Sequence, residues 1–115
     1  MFSQAGGWER YTPLGYAAIY NQFEVVNFLL SRVPRLNIDK GDKFGRSPLI
    51  MACRNGNTRI VSLLLAYGAD IEGQDTSANT ALHHAAAYGW DECVRILIEN
   101  GAELDPESSW KTTPV

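Results

Sequence analysis

Few side chains in this chain have the chemistry for catalysis or metal binding, and their spacing speaks against both. Histidine occurs twice, as the neighbours His83 and His84, and cysteine twice, as Cys53 and Cys93. A metal site needs imidazoles and thiolates converging on one point. Neighbouring residues on a helix point about 100° apart, so His83 and His84 cannot chelate one ion together. Nucleophilic catalysis needs a thiol beside a base that a carboxylate orients. Cys93 with His84 is the one conceivable pair, but Cys93 falls at an aliphatic core position and no carboxylate is placed to orient the imidazole. The glycines punctuate turns at repeat spacing and form no phosphate-cradling loop. Asp91, Glu92 and Glu99 read as a solvated helix face. The chain is therefore expected to have no catalytic residue, no metal site and no cofactor, and is read as not an enzyme.

What positions these residues is a repeat. Thr12-Pro13-Leu14, Ser47-Pro48-Leu49, Thr80-Ala81-Leu82 and Thr113-Pro114-Val115 follow one another at steps of 35, 33 and 33 residues. A fixed period of that length marks a solenoid, in which each unit buries its apolar face only against its neighbours. The hydroxyl caps a free backbone N–H at a helix start, and proline at the first helical position loses no bond. Gly56 and Gly89 suit a left-handed residue closing a helix, and Asn21 is the best substitute for glycine there. Ala17-Ala18, Ala52-Cys53 and Ala85-Ala86 are small, which lets the first helix of each unit approach its neighbours. Val25, Val26, Leu29, Ile60, Val61, Leu64, Cys93, Val94 and Leu97 keep helical spacing on the second helix, while Asn27, Ser62 and Arg95 between them should face water.

Phe28-Leu29-Leu30, Leu63-Leu64-Leu65 and Ile96-Leu97-Ile98 close the second helices, and Gly68-Ala69-Asp70 and Gly101-Ala102-Glu103 follow. With these positions in phase, the chain resembles the ankyrin-repeat family over roughly residues 7 to 115. The resemblance implies an all-α solenoid of stacked antiparallel helix pairs joined by hairpin loops. Residues 1–115 then form one domain, with repeats at about 7–41, 42–74 and 75–107 and a truncated repeat at 108–115. His83 falls where that family keeps a histidine bonded to neighbouring backbone. Departures from the pattern also inform. Val33-Pro34 are two extra residues that account for the first step of 35. The first hairpin shows Gly7 and Arg10 where the second has Asp42 and Gly45. With Val115 at the barely begun fourth unit, the chain is expected to be part of a longer array.

Composition fits one small domain: 115 residues, 45% hydrophobic, enough for a single continuous core. No apolar run reaches membrane-span length and no signal region opens the chain, so no membrane insertion is expected. Cys53 and Cys93 read as buried thiols without a disulfide. That favours a reducing compartment, hence an intracellular place, cytoplasmic or nuclear.

In the ankyrin family, partners usually meet the concave side, formed by hairpin tips and the exposed face of each first helix. Carried over residue by residue, this implies a partner-binding set of Trp8, Tyr11, Tyr20, Lys43, Phe44, Arg46, Arg54, Asn55, Asn79, Tyr88 and Trp110. Aromatics and arginine are the residue types that anchor protein interfaces. A packing role stands beside that reading, with Trp8 and Tyr11 sealing the end of the array and Trp110 lying on a further repeat. Trp90, at a turn between helices, is expected to wedge between repeats. Residues 1–60 carry eight basic and four acidic side chains, residues 61–115 two and nine, for a net charge of −3. Lys43, Arg46 and Arg54 are expected to cluster around Phe44 and to receive an acidic or phosphorylated protein segment. The acidic half would repel a nucleic-acid backbone, which makes nucleic acid an unlikely partner. The function read from the sequence is a protein–protein interaction module. The alternatives are a regulatory or substrate-recruiting arm of a larger enzyme, of kinase or ADP-ribosyl transferase type, and an architectural spacer.

Overall fold

The structure is a computed structural model and describes residues 12–104. Among the described residues it holds six α-helices and no strand: α1 Pro13–Ile19, α2 Phe23–Arg32, α3 Pro48–Arg54, α4 Thr58–Ala66, α5 Ala81–Ala87 and α6 Asp91–Glu99. The pairs α1/α2, α3/α4 and α5/α6 stack in chain order, first helix on first helix and second on second. This is the all-α repeat solenoid that the period implies.

Each first helix starts on its hydroxyl. Thr12 Oγ1 accepts the Gly15 N–H at 3.0 Å and Ser47 Oγ accepts that of Ile50 at 3.2 Å, with Pro13 and Pro48 presetting the first turn. Such a cap is worth about 1 kcal/mol. α5 begins on Ala81 instead of proline, and His83 completes the cap: its Nδ1 accepts the Thr80 N–H at 3.0 Å while Thr80 Oγ1 accepts from His83 N. This is the local backbone bond expected of His83. Asn21, Gly56 and Gly89 close the first helices with φ of 59°, 71° and 74°. At Gly56 the need for glycine is double, since a Cβ there would lie 2.7 Å from the Trp90 ring. After α2 the two extra residues end the helix at Val33, and Arg35 turns the chain with φ 60°, where Gly68 serves the next unit.

The core runs unbroken through the stack, with Leu14, Val26, Leu49, Ile60, Val61, Leu64, Cys93 and Leu97 all at 1% exposure or less. Ala18, Ala52 and Ala85 are wholly buried, and the first helices make the more extensive contacts. Polar clamps then bind unit to unit. Asn57 Nδ2 donates to Ala18 O at 2.8 Å and Trp90 Nε1 to Arg54 O at 2.8 Å. At the loop bases Asp39 accepts from Asp70 N, and Glu72 from Glu103 N. One core expectation needs correction: Val25 is 46% exposed, whereas Ile60 and Cys93 at the same register are fully buried. In the later units that position is covered by the preceding helix pair, and no described pair precedes α2.

Candidate functional site

Two hairpins rise from the stack on the same backbone device. In residues 42–46, Asp42 Oδ1 accepts the N–H groups of Phe44 and Arg46, each at 2.9 Å. Asp42 Oδ2 takes the Arg46 guanidinium at 2.9 Å from Nε and 2.8 Å from Nη2. The tip so formed holds Phe44 out, 51% exposed, with Lys43 Nζ 5.7 Å and Arg46 Cζ 4.9 Å from its ring centre. Phe44 O accepts from Thr76 N at 3.0 Å, which ties this tip to the next hairpin.

In residues 75–79, Asp75 Oδ1 accepts from Ser77 N at 2.9 Å and Asn79 N at 3.0 Å. Its Oδ2 meets His84 Nε2 at 2.8 Å. Burial works to push the Asp75 carboxyl up. Hydrogen bonds from Asn79 N–H, the His84 ring and Ser77 N–H outweigh it and hold the group below the ordinary carboxylate value. An ionised carboxylate only accepts, so the proton of this contact sits on His84 Nε2. The expectation that no carboxylate orients His84 is therefore corrected. The pair still lacks a nucleophile, because Cys93 is fully buried in the core beside Cys53. The neighbouring Cys93 and burial push the Cys53 thiol up, and Cys53 in turn favours the thiolate of Cys93.

The ends of the first helices form a second group. Tyr20 and Tyr88 cap α1 and α5 and are 58% and 53% exposed. The rings of Tyr20 and Tyr16 lie 4.9 Å apart. Arg54 sits 5.7 Å from the Tyr88 ring centre and donates from Nη2 to its hydroxyl at 3.2 Å. Asn55 Nδ2 donates to Ile19 O at 2.7 Å, so it joins the first and second units.

The expected basic cluster thus divides. Lys43 and Arg46 do flank Phe44, but Arg54 engages Tyr88, and the Arg46 charge is neutralised within the hairpin by Asp42. Asn79 closes its hairpin through its backbone N–H and C=O, both bonded to Asp75. Trp8, Tyr11 and Trp110 lie outside the described residues. Trp90 wedges between units as expected, its ring on Gly56. The sequence reading missed the Asp75–His84 bond and the contact between the two thiols. Among the described residues, no group of three or more histidine, cysteine and acidic side chains is placed to hold a metal. Nor is any described helix long and apolar enough to cross a membrane.

A family model for ankyrin repeats, in three copies, matches residues 14–108. The mouse B-cell lymphoma 3 protein homolog is 38% identical over 109 residues, spanning 94% of this chain and 24% of that protein. Human SH3 and multiple ankyrin repeat domains protein 2 is 38% identical over 73 residues, 64% of this chain and 4% of that one. A solved structure of a predatory endopeptidase from Bdellovibrio bacteriovorus in complex with an immunity protein superposes with a TM-score of 0.76. It is 27% identical and covers 84% of this chain and 49% of the chain compared. Ankyrin repeats are protein–protein interaction modules, in general without catalytic activity of their own. With its period, its helix pairs and its matched residues in agreement, this chain belongs to the ankyrin-repeat family.

Proposed function

We propose that the surface formed by the hairpin tip at Lys43–Arg46 and the first-helix ends at Tyr20, Asn55 and Tyr88 is the concave binding face, and that it takes up a segment of another protein. The observation that carries this reading is the state of its aromatics. Phe44, Tyr20 and Tyr88 are each more than half exposed. Two of the three are flanked by cations, Phe44 by Lys43 and Arg46 and Tyr88 by Arg54. Large apolar side chains held rigid at a water-facing surface have the most burial to gain from a partner and little side-chain entropy to lose.

The segment's chemistry follows from which charges are free. Arg46 spends its charge on Asp42, which leaves Lys43 and Arg54 to face a partner. An acidic or phosphorylated segment carrying an apolar anchor fits that pattern. Two buried, unpaired thiols support an intracellular setting, cytoplasmic or nuclear. The chain spans only 24% and 4% of the two curated relatives, so a larger protein that uses this module as its recognition arm is part of the same proposal.

The test compares capture of cellular proteins by the wild-type chain and by a Lys43→Glu/Phe44→Ala/Tyr88→Ala variant. Arg46 is left intact because it holds the hairpin. Partners retained by the wild type should be lost by the variant, with affinity falling at least about tenfold per aromatic removed. Equal capture of every partner by a folded variant would rule the surface out.

A further inference from the structure

The two cysteines of this chain, 40 positions apart in sequence, meet in the core. Cys53 lies in the last turn of α3 and Cys93 in the first turn of α6. The fold brings these turns together through Trp90, which begins α6, donates from Nε1 to Arg54 O at 2.8 Å and lays its ring on Gly56. That clamp fixes the residue after Cys53 against the residue three before Cys93. Both thiols are free and fully buried in one core cluster, near enough for each to bear on the other's proton. The interface one unit earlier gives a comparison. There the same two positions hold Ala18 and Ile60, also fully buried, so packing alone does not call for sulfur.

We propose that Cys53 and Cys93 form a reversible disulfide that locks the second and third helix pairs together when the chain meets a small-molecule disulfide. Cys93 is the attacking thiol. It lies in the first turn of a helix, where the backbone N–H groups favour a thiolate, and the neighbouring Cys53 thiol favours it too. Glu92 beside it works the other way. The Cys93 thiolate attacks one sulfur of the small disulfide, whose other sulfur leaves as a thiolate. Cys53 then gives up its proton, its sulfur attacks that of Cys93, and the second small thiol departs. Two protein thiols are oxidised by two electrons and one disulfide is reduced to two thiols. Because neither sulfur touches water in the closed stack, exchange waits on a local opening between units, and this makes the reaction slow and conditional. Once formed, the bond joins the turn beside Arg54 to the turn beside Trp90, and so stiffens the interface between Arg54 and Tyr88.

The test treats the reduced chain with excess oxidised glutathione and follows intact mass, helical signal and melting. The expected product is a folded monomer lighter by two hydrogens. It yields a Cys53–Cys93 linked peptide on proteolysis and melts on the order of 10 °C higher, a gain that dithiothreitol reverses. The control is Cys53→Ala/Cys93→Ile, which copies the Ala18–Ile60 pair and should melt at one temperature in both buffers. Retention of both thiols by the folded chain would overturn the proposal. So would glutathione adducts that do not resolve, chain-to-chain disulfides, or a linked product that has lost its helical signal.

Discussion

The hairpins at 42–46 and 75–79 share one backbone design and differ in which side chain their aspartate's second oxygen takes. In both, one carboxylate oxygen of the leading aspartate gathers two N–H groups of the loop. The other oxygen of Asp42 finds Arg46, the last residue of its own hairpin, while that of Asp75 finds His84, one turn inside α5. Sequence shows the exchange, for Asn79 stands at the register of Arg46 and Met51, fully buried, at the register of His84. The first closes its carboxylate within its own hairpin and, though its backbone is tied to Thr76, points the Phe44 side chain outward beside Lys43. The second tethers its hairpin to the helix beneath and carries only Thr76, Ser77 and Ala78 between its Asp and Asn. One hairpin is thus built to present side chains, the other to be held.

Removing the shared acceptor should have the largest effect. Asp42→Ala and Asp75→Ala each delete two backbone hydrogen bonds and leave Arg46 or His84 without its carboxylate partner, a loss of about 2–3 kcal/mol apiece by urea unfolding. If only one of the two proves costly, the equivalence of the hairpins is broken. Next comes a pair of opposite sign. Gly45 has φ 75°, and a Cβ there would meet Thr76 N at 3.1 Å, so Gly45→Ala should cost about 2 kcal/mol. Ala78 occupies the same register with φ 65° but is exposed, so Ala78→Gly should stabilise by about 0.5–1 kcal/mol. The smallest effect is on pH dependence. The folded state holds the Asp75 carboxyl below its unfolded value, so its contribution is present above about pH 3.9 and lost as pH falls through the folded value. Asp75→Asn removes that acid loss, and its unfolding free energy should therefore fall less steeply below pH 4 than that of the wild type.

Much of the scaffold was legible because it follows short-range rules. The hydroxyls of Thr12, Ser47 and Thr80 cap at a fixed offset of three residues, and the left-handed ends need Asn21, Gly56 or Gly89 whatever the neighbours are. Trp90 could be read as a wedge because its register puts it at a turn between units. What stayed hidden depends on which of two reachable partners a long side chain takes. Arg54 was expected at Phe44 and lies on Tyr88; Arg46 was expected to face a partner and is drawn to Asp42. His84 and Asp75 are nine residues apart, and only the folded-back hairpin shows that they meet. Register gives the position of a Cα and its facing side. It does not give the rotamer.

The most direct test of the recognition face asks where a bound partner lies. A photo-crosslinking benzoylphenylalanine would be placed at Tyr88, on the proposed face, or at Glu99, exposed on α6. Partner adducts should form from position 88 and be absent from position 99. Equal yields, or adducts from position 99 alone, would contradict the assignment of binding to the hairpin and first-helix surface.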